Sequence, residues 1–475
     1  MPSSVAVAAW LVCLILLLRY DPARDPKASF ALWIPLIWMF FLGSRNPTQW
    51  LSAGVIRLQA QSMQEGSPID RAIFSALIVL SIAVLISRSF QWTRFLGQNT
   101  ALVIFVAFEL ASATWSDFPF IAVKRWIRDL DNYLMVLVIL SDPRPLEAVK
   151  TVLRRLSYLL VPLSILLIKY FPVLGKQFDQ WSGMGYFVGA GTSKNMLGAI
   201  CLVSGLFFFW DTVTRWPERR QRKTKRILLL NAVFLAMTLW LMRLAASTTS
   251  DVCLVLGCVI IAAAHTKIFR RRQGLLKALA PTGFVLYLLL LFVLGMQGQL
   301  AGAVGKDPTL TDRTKIWTFL LSMHTNPLIG TGYQTFWLGP RLIWFWTMAH
   351  LGHLNEAHNG YLETYLELGL IGDGLLILFL ISSYRHACQK LKSHSALAIF
   401  GMATWMIFVF YNMSEAASEA GLLFMLLLMG SLSMPLSASR RVRSVGTPWR
   451  DEQPSSAALQ VEEESIAGWS VRSWS

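Results

Sequence analysis

The stretch that decides the fold runs from residue 305 to residue 372 and opens with GKDPTLTDRTKIW (305–317). It continues through NPLIGTGYQTFW (326–337) and closes on EAHNGYLE (356–363) and the residues after it. Apolar runs of membrane-spanning length lie on both sides of it. This long segment is polar enough to remain in water, and it carries cations, histidines and carboxylates. The pattern predicts a water-exposed loop that holds the functional site of a membrane protein.

Composition places the chain among polytopic membrane proteins. Of the 475 residues, 55% are hydrophobic and 15% are charged, whereas soluble domains carry about 25% charged residues. The net charge of +16 could indicate nucleic-acid binding. However, the basic residues lie in short loops between apolar runs, which is the arrangement that sets membrane topology. Because no folded basic domain is evident, nucleic acid is excluded as a partner.

The apolar runs predict an all-α integral membrane protein with about 12 or 13 transmembrane helices, because only helices satisfy their own backbone polar groups in lipid. The fifth run is short, which leaves the count open. No basic residue precedes the first apolar core, which favours an uncleaved first helix over a signal peptide. The candidate spans are roughly 4–19, 29–43, 72–88, 99–114, 130–141, 152–171, 186–210, 227–243, 250–265, 276–297, 360–383, 395–412 and 420–436.

The spans divide the chain into four parts. We expect N-terminal transmembrane helices over 1–297, an extracytoplasmic catalytic loop over 298–359 that carries short helices, and C-terminal transmembrane helices over 360–436. The tail, 437–475, mixes Ser, Pro, Glu and Arg without periodicity, which predicts a disordered cytoplasmic segment.

The basic residues orient the spans. Lysine and arginine concentrate in the connections 215–226, 267–277 and 385–392, which fall on one side when the spans alternate. The positive-inside rule makes that side cytoplasmic, so the loop 298–359 is predicted to face outward. A basic cluster in the loop 114–129 falls on the same outer side, against the rule. Cations in such a position usually have a partner.

Four sequence blocks carry a resemblance to a known family. They are SATWSDFP (112–119) followed by Lys124 and Arg125, GTSKNMLG (191–198), TLTDRTKIW (309–317) with PLIGTG (327–332), and AHNGYLE (357–363) with LGLIG (368–372). Together they resemble the O-antigen ligase and polymerase superfamily of bacterial polysaccharide assembly, and within it the exopolysaccharide polymerases of the succinoglycan type. Asp312 departs from the glycine expected before the arginine and places a carboxylate beside it.

The resemblance implies an enzyme that polymerises polyprenyl-pyrophosphate-linked oligosaccharide repeats at the outer face of the bacterial inner membrane. Its implied partners are this lipid-linked substrate and membrane lipid, with a chain-length regulator and export proteins as further candidates, and it implies no cofactor. The sequence fits a lipid-linked donor, because no cytoplasmic loop could house a nucleotide-sugar domain. Transfer of the glycan to lipid A or protein by a ligase remains an alternative. A transporter or flippase is a second one, although paired broken helices or repeat halves are not evident.

Within this resemblance, His358 and Arg313 are the catalytic candidates. An imidazole titrates near neutral pH and can take a proton from an acceptor hydroxyl. A guanidinium matches the oxygens of a pyrophosphate. Asn359 and Glu356 are close enough in sequence to orient His358. The alternatives are a capping or packing histidine and an arginine that is solvated or paired with Asp312.

The other candidates are predicted to bind substrate. Arg125 and Arg128 lie three residues apart and share a face if their segment is helical; headgroup anchoring is the alternative. No metal is predicted, because no H-E-x-x-H motif occurs among the histidines 350–358. One base without an evident carboxylate nucleophile predicts inversion in a single step. The full set of predicted substrate-binding residues is Arg125, Lys124, Arg128, Lys194, Asn195, Asn359, Glu356 and Trp317.

Overall fold

A computed structural model gives the chain as a bundle of helices with one small hairpin. It describes residues 2–52, 67–178, 185–289, 311–348, 354–391, 396–416 and 421–435. The described residues up to Ser433 form one compact unit. The predicted disordered tail, 437–475, lies outside the described residues. The α-helices are α1 (Ser3–Tyr20), α2 (Trp33–Leu42), α3 (Pro47–Leu51), α4 (Pro68–Ser87), α5 (Trp92–Gln98), α6 (Thr100–Ala111), α7 (Pro119–Leu140), α8 (Pro145–Tyr170), α9 (Pro172–Gly175), α10 (Lys194–Arg215), α11 (Arg222–Ala245), α12 (Thr248–His265), α13 (Lys267–Arg271), α14 (Gln273–Leu288), α15 (Thr311–Leu321), α16 (Gly339–Met348), α17 (Gly360–Lys390), α18 (Ala396–Tyr411) and α19 (Leu422–Ser431).

Short elements connect these helices. Three 3₁₀ helices cover Phe30–Leu32, Ser112–Thr114 and Trp216–Glu218. The strands β1 (Lys176–Phe178) and β2 (Gly185–Phe187) form an antiparallel pair between α9 and α10, with Gln177 opposite Tyr186. The predicted external loop contains two short helices, α15 and α16, as expected for that segment.

The structure confirms an all-α polytopic membrane protein. Seven of the described helices, α1, α4, α8, α10, α11, α12 and α17, are long and apolar enough to cross a membrane. A pair bent by 95°, formed by α5 and α6 with the turn that follows, would make an eighth span. Shorter apolar helices are α18, α19 and the segment Phe30–Leu42. The count of 12 or 13 spans stays a prediction, because the run 276–297 lies partly outside the described ranges.

One sequence expectation is corrected. The basic cluster at Lys124, Arg125 and Arg128, expected in a loop over 114–129, lies on α7, which begins at Pro119 and runs for 22 residues. Charged residues interrupt the apolar pattern in the first half of this helix, so only 130–141 is apolar enough to suggest a span. A proline in the first turn is compatible with a helix start, because the N–H it lacks has no helical partner there.

A break in α17 positions the segment between α15 and α16. Gly369 has a φ of 66°, so the helical hydrogen bonding is interrupted at this residue. The backbone around the break pairs instead with the segment 327–332. Thr331 N–H donates to the Leu366 carbonyl at 3.1 Å, and Gly332 N–H donates to the Glu367 carbonyl at 2.8 Å. The glycine motifs of the third and fourth sequence blocks therefore meet through their backbones.

Side chains of the first sequence block contact the same segment. The indole of Trp115 donates to the Ile329 carbonyl at 3.0 Å, and the hydroxyls of Ser116 and Thr335 lie 2.8 Å apart. A Cβ at Gly332, whose φ is 103°, would lie 2.4 Å from the Cβ of Ser116. The segment 327–335 is thus held between the α6–α7 connection and the break in α17.

Replacing Gly369 by alanine should destabilise the protein. The left-handed conformation alone costs an L-residue about 1–2 kcal/mol, and a Cβ here would lie 2.2 Å from the carbonyl carbon of Leu328. Gly374→Ala in the same helix is the matched control, because a Cβ there meets nothing within 4 Å. In detergent, the unfolding temperature should fall clearly for Gly369→Ala and stay unchanged for Gly374→Ala. Equal stability of the two variants would contradict this account of the break.

Candidate active site

A carboxylate, an imidazole and a guanidinium meet at one end of the bundle. Arg313 lies on α15, His358 lies two residues before α17, and Glu415 follows α18. Nη2 of Arg313 lies 2.7 Å from Oε1 of Glu415, and Nδ1 of His358 lies 3.3 Å from Oε2. Arg313 also donates through Nη1 to the carbonyl of Ser414. One carboxylate, buried to 7% side-chain exposure, therefore joins the two predicted catalytic residues.

A second carboxylate completes the surroundings of the imidazole. Oε1 of Glu356 lies 2.9 Å from Nδ1 of His358. Both carboxylates therefore contact the same ring nitrogen. Nε2 has no polar partner among the residues that the structure describes, and the side chain retains 20% exposure. Nε2 is thus the atom available for proton exchange.

Local backbone geometry sets the position of the imidazole. His358 has a φ of 50°, a left-handed conformation that costs a non-glycine residue of order 1–3 kcal/mol. The side chain of Asn359 caps α17 by accepting from two N–H groups of its first turn. Gly360 N–H donates to the carbonyl of Asn412 at 2.8 Å, and a Cβ at Gly360 would lie 1.9 Å from Oδ1 of Asn412. The start of α17 is therefore fixed against the end of α18, beside Glu415.

The charged groups of this cluster shift the pKa values of His358 and Glu415. Burial lowers the pKa of His358, but the hydrogen bonds and negative charges of Glu356 and Glu415 outweigh burial and raise the pKa to about 9. Burial raises the pKa of Glu415, yet the hydrogen bond from His358 and the charge of Arg313 bring it below its ordinary value. At neutral pH the cluster therefore holds an imidazolium and a guanidinium around an ionised carboxylate.

An apolar wall supports this cluster from the side of α15 and α16. Trp317 packs against a buried group that includes Phe336 and Phe345, and its indole donates to the Ala357 carbonyl at 2.8 Å. This contact positions the residue next to His358, and a role of Trp317 in substrate binding stays a prediction. Glu363, 1% exposed, accepts from the N–H of Ala357.

A second cation group lies on α7. Arg125 donates to the Gln334 carbonyl, and Arg128 donates to the Gln334 side chain at 3.0 Å and to Asp129 at 2.9 Å. Asp129 also accepts from the hydroxyl of Tyr333 at 3.0 Å and from the amide of Gln334 at 2.6 Å. Gln334 has a φ of 51°. The segment that contains Gln334 is therefore held against α7 by polar contacts that involve both predicted arginines.

The segment 333–337 connects the two cation groups. Gln334 contacts Arg125, and Trp337 donates to Glu363 at 2.9 Å. The other oxygen of Glu363 accepts from Ala357, which immediately precedes His358. A continuous series of contacts thus leads from the guanidinium on α7 to the imidazole.

The remaining candidates lie apart from both groups. Lys124 lies over the ring of Phe120, with Nζ 4.6 Å from the centroid. Lys194 and Asn195 begin α10, and within the described ranges they form no hydrogen bond or ion pair with the other candidates. Gly198, four residues after Lys194, packs closely against α12, where a Cβ added at Gly198 would contact Ser250. Because the hydroxyl of Thr249 on α12 lies 2.9 Å from that of Ser414, Lys194 lies at the same end of the bundle as Glu415.

Glu415, Gln334 and Asp129 were missed by sequence reasoning. The only available signal for Glu415 was an acidic residue in an outer connection, 411–420, that carries no lysine or arginine. Such a residue could have been matched with Arg313. Nothing in the sequence pattern distinguishes Gln334 from its neighbours.

The cluster of Glu356, His358 and Glu415 could hold a metal ion. One ligand atom from each of Glu356, His358 and Glu415 lies within 4.8 Å of the other two. Arg313 already contacts Glu415, so a cation here would compete with the guanidinium. The absence of a metal from the reaction stays a prediction. His350 and His353, which the metal alternative used, lie outside the described residues.

Stability should depend on pH through His358. Its pKa rises from 6.5 to about 9 on folding, so its contribution is fully present below pH 6.5 and is lost as the pH rises through 9. The unfolding temperature of the wild type should therefore fall over this pH window. In His358→Gln, the unfolding temperature should change less with pH. His324→Gln is the control, because His324 is an exposed histidine with the same φ sign. An unchanged slope in His358→Gln would contradict the assigned pKa.

The chain is similar in sequence to known proteins. Residues 181–380 match the family model of the O-antigen ligases. The chain is 25% identical to the exopolysaccharide production protein ExoQ of Rhizobium meliloti (strain 1021) over 319 residues, which cover 64% of this chain and 69% of that protein. The matched family region includes Arg313 and His358. These findings support an O-antigen ligase or polymerase type of function in an integral membrane protein. The resemblance predicted from the sequence is confirmed: residues 181–380 match the O-antigen ligase family.

Proposed function

We propose that this protein is a glycosyltransferase that joins polyprenyl-pyrophosphate-linked oligosaccharide repeats into an exopolysaccharide. The observation that carries the proposal is the cluster of His358, Glu415 and Arg313, which combines a proton acceptor and a phosphate-binding group at one end of a membrane bundle. We place this end at the periplasmic face of a bacterial inner membrane, because the basic connections lie at the other end.

Arg313 would bind the donor pyrophosphate. A guanidinium has five N–H donors, and Glu415 and the Ser414 carbonyl engage its two terminal nitrogens. Further N–H groups therefore remain for phosphate oxygens. The cation would stabilise the negative charge that develops on the leaving pyrophosphate. Arg125, held by Gln334 on the neighbouring segment, would supply a second positive charge.

His358 would act as the general base. Its Nε2 takes the proton of an acceptor hydroxyl while the hydroxyl oxygen attacks the anomeric carbon of the donor sugar. The bond from that carbon to the pyrophosphate oxygen breaks, and the lipid pyrophosphate leaves with the electron pair. Glu356 and Glu415 stabilise the imidazolium that forms, as carboxylates do in catalytic triads. One displacement without a covalent sugar intermediate inverts the anomeric configuration.

Ligation of a finished glycan to lipid A or protein is the second candidate, favoured by the description of the matching family. Both reactions use the same donor and differ in the acceptor. A deletion strain separates them by the material left on the lipid. Single repeats on the polyprenyl carrier with no polymer indicate a polymerase, whereas long polymer stranded on the carrier indicates a ligase.

His358→Ala should reduce polymer formation by about 10² to 10⁴-fold, the usual contribution of a general base. Polymer length and amount in a complemented deletion strain measure the effect, with membrane insertion checked by blotting. The control is His324→Ala, since His324 is exposed on the same external segment. Normal polymer from a properly inserted His358→Ala protein would exclude the base and favour a transporter.

The rate should rise with pH. With a pKa of about 9, the imidazole that can accept a proton is the minor form at neutral pH. In purified enzyme, kcat/KM should therefore increase about tenfold per pH unit below 9 and then level off. Glu415→Gln should move the inflection to lower pH, because a negative partner is lost. A rate that falls through pH 9 would instead assign His358 as an acid or a cationic binding group.

A further inference from the structure

An apolar groove runs between α1 and α11, away from the candidate active site. Both helices pack against α8, and the groove between them has a volume of about 1010 Å³. Ala9, Val12 and Leu16 line it on α1, and Leu229 and Val233 line it on α11. On each helix the lining residues recur every three or four positions, some of them as adjacent pairs, so each helix contributes one continuous face. The walls are aliphatic and suit a hydrocarbon chain.

The part of the groove that both helices wall fits one leaflet. On α11 the lining runs from Arg226 to Val233, which is about 10 Å at 1.5 Å per residue. One leaflet contributes about 15 Å of the hydrocarbon core. Two walls therefore face each other only in the leaflet next to the basic connection 215–226. A transmembrane helix of another protein, as an occupant of the groove, would cross the whole hydrocarbon core. An acyl chain of this leaflet instead matches the length over which both walls are present.

Cations lie at the basic end of the groove. Arg226 lines it directly. Leu17 and Asp21 line both the groove and a small polar cavity beside it, which also contains Arg24 and Arg155. Asp21 lies 3.9 Å from Arg154. The aliphatic walls therefore lead to a polar region that is rich in arginine.

Two of these arginines are available to an anion. The other cations of the cavity are ion-paired. Arg154, Arg215 and Lys150 all lie within ion-pair distance of the buried carboxylate of Asp211. Arg154 also pairs with Asp21, and Lys150 with Glu147. Within the described part of the chain, Arg24 and Arg155 form no ion pair. Arg155 lies over the ring of Trp33, 4.9 Å from its centroid, and Arg24 donates to the Arg19 carbonyl.

We propose that this groove binds a phospholipid with an anionic headgroup, its acyl chain between α1 and α11 and its phosphate at Arg24, Arg155 and Arg226. Basic pockets between helices on the cytoplasmic side suit such headgroups. The site lies at the Arg215 end of α10, whereas Lys194 marks the end that carries the candidate active site. The helix between them is about 33 Å long. Lipid binding here is therefore separate from the proposed glycosyl transfer.

Lipid retention by purified full-length protein tests the proposal. The protein is equilibrated with mixed phosphatidylglycerol and phosphatidylcholine, and bound lipid is measured by native mass spectrometry. Phosphatidylglycerol should be preferred, and the double variant R24Q/R155Q should reduce the preference by about tenfold. Ala9→Trp should reduce total bound lipid by filling the groove.

Two controls distinguish these effects from general damage. R219Q/R220Q removes two basic residues of the same connection that do not line the groove or its cavity, and Ile15→Trp adds an indole to an exposed face of α1 outside the groove. Both should bind lipid like the wild type. Equal retention of the two lipids by the wild type, or unchanged retention in R24Q/R155Q and Ala9→Trp, would overturn the proposal. Displacement of the lipid by millimolar inorganic phosphate, or a dimer that Ala9→Trp dissociates without loss of lipid, would also overturn it.

Discussion

Backbone pairing between the broken helix α17 and the segment 327–332 organises the part of the molecule that carries the candidate site. A continuous helix would use its own N–H and C=O groups internally and could not hold an extended segment. The left-handed Gly369 interrupts that pattern, and the pairing at Leu366 and Glu367 follows. The segment then carries Gln334 to the arginines of α7 and Trp337 to Glu363. The contacts of this segment with α7 and with Glu363 therefore depend on one helix break.

Electrostatics of the candidate site centre on a single buried carboxylate. Ionised Glu415 would be costly in an apolar environment without partners. Arg313 and His358 supply them, and each is in turn held in a defined position by the carboxylate. The strained φ of His358 is compatible with a residue whose position is set by its surroundings rather than by its own backbone preference.

Much of the fold follows from the sequence, because apolar length alone identifies helices such as α4, α8 and α17. The first half of α7 did not, since Lys124, Arg125 and Arg128 interrupt the apolar pattern although they form part of a regular helix. The approach of His358 to Arg313 was expected only through a family resemblance. Glu415 lies 57 positions from His358 and 102 from Arg313. Packing of α18 on α17 sets those contacts, and periodicity carries no information about such pairs.

The position of Glu415 after α18 has a consequence for biogenesis. A nascent chain emerging from the ribosome would insert Arg313 and His358 well before the carboxylate that neutralises them is synthesised. Until α18 enters the bilayer, the two cations have no shared counter-charge and the imidazole lacks one of its two acidic neighbours. The complete ion-paired centre of Arg313, His358 and Glu415 therefore forms only when translation of the membrane region is nearly finished.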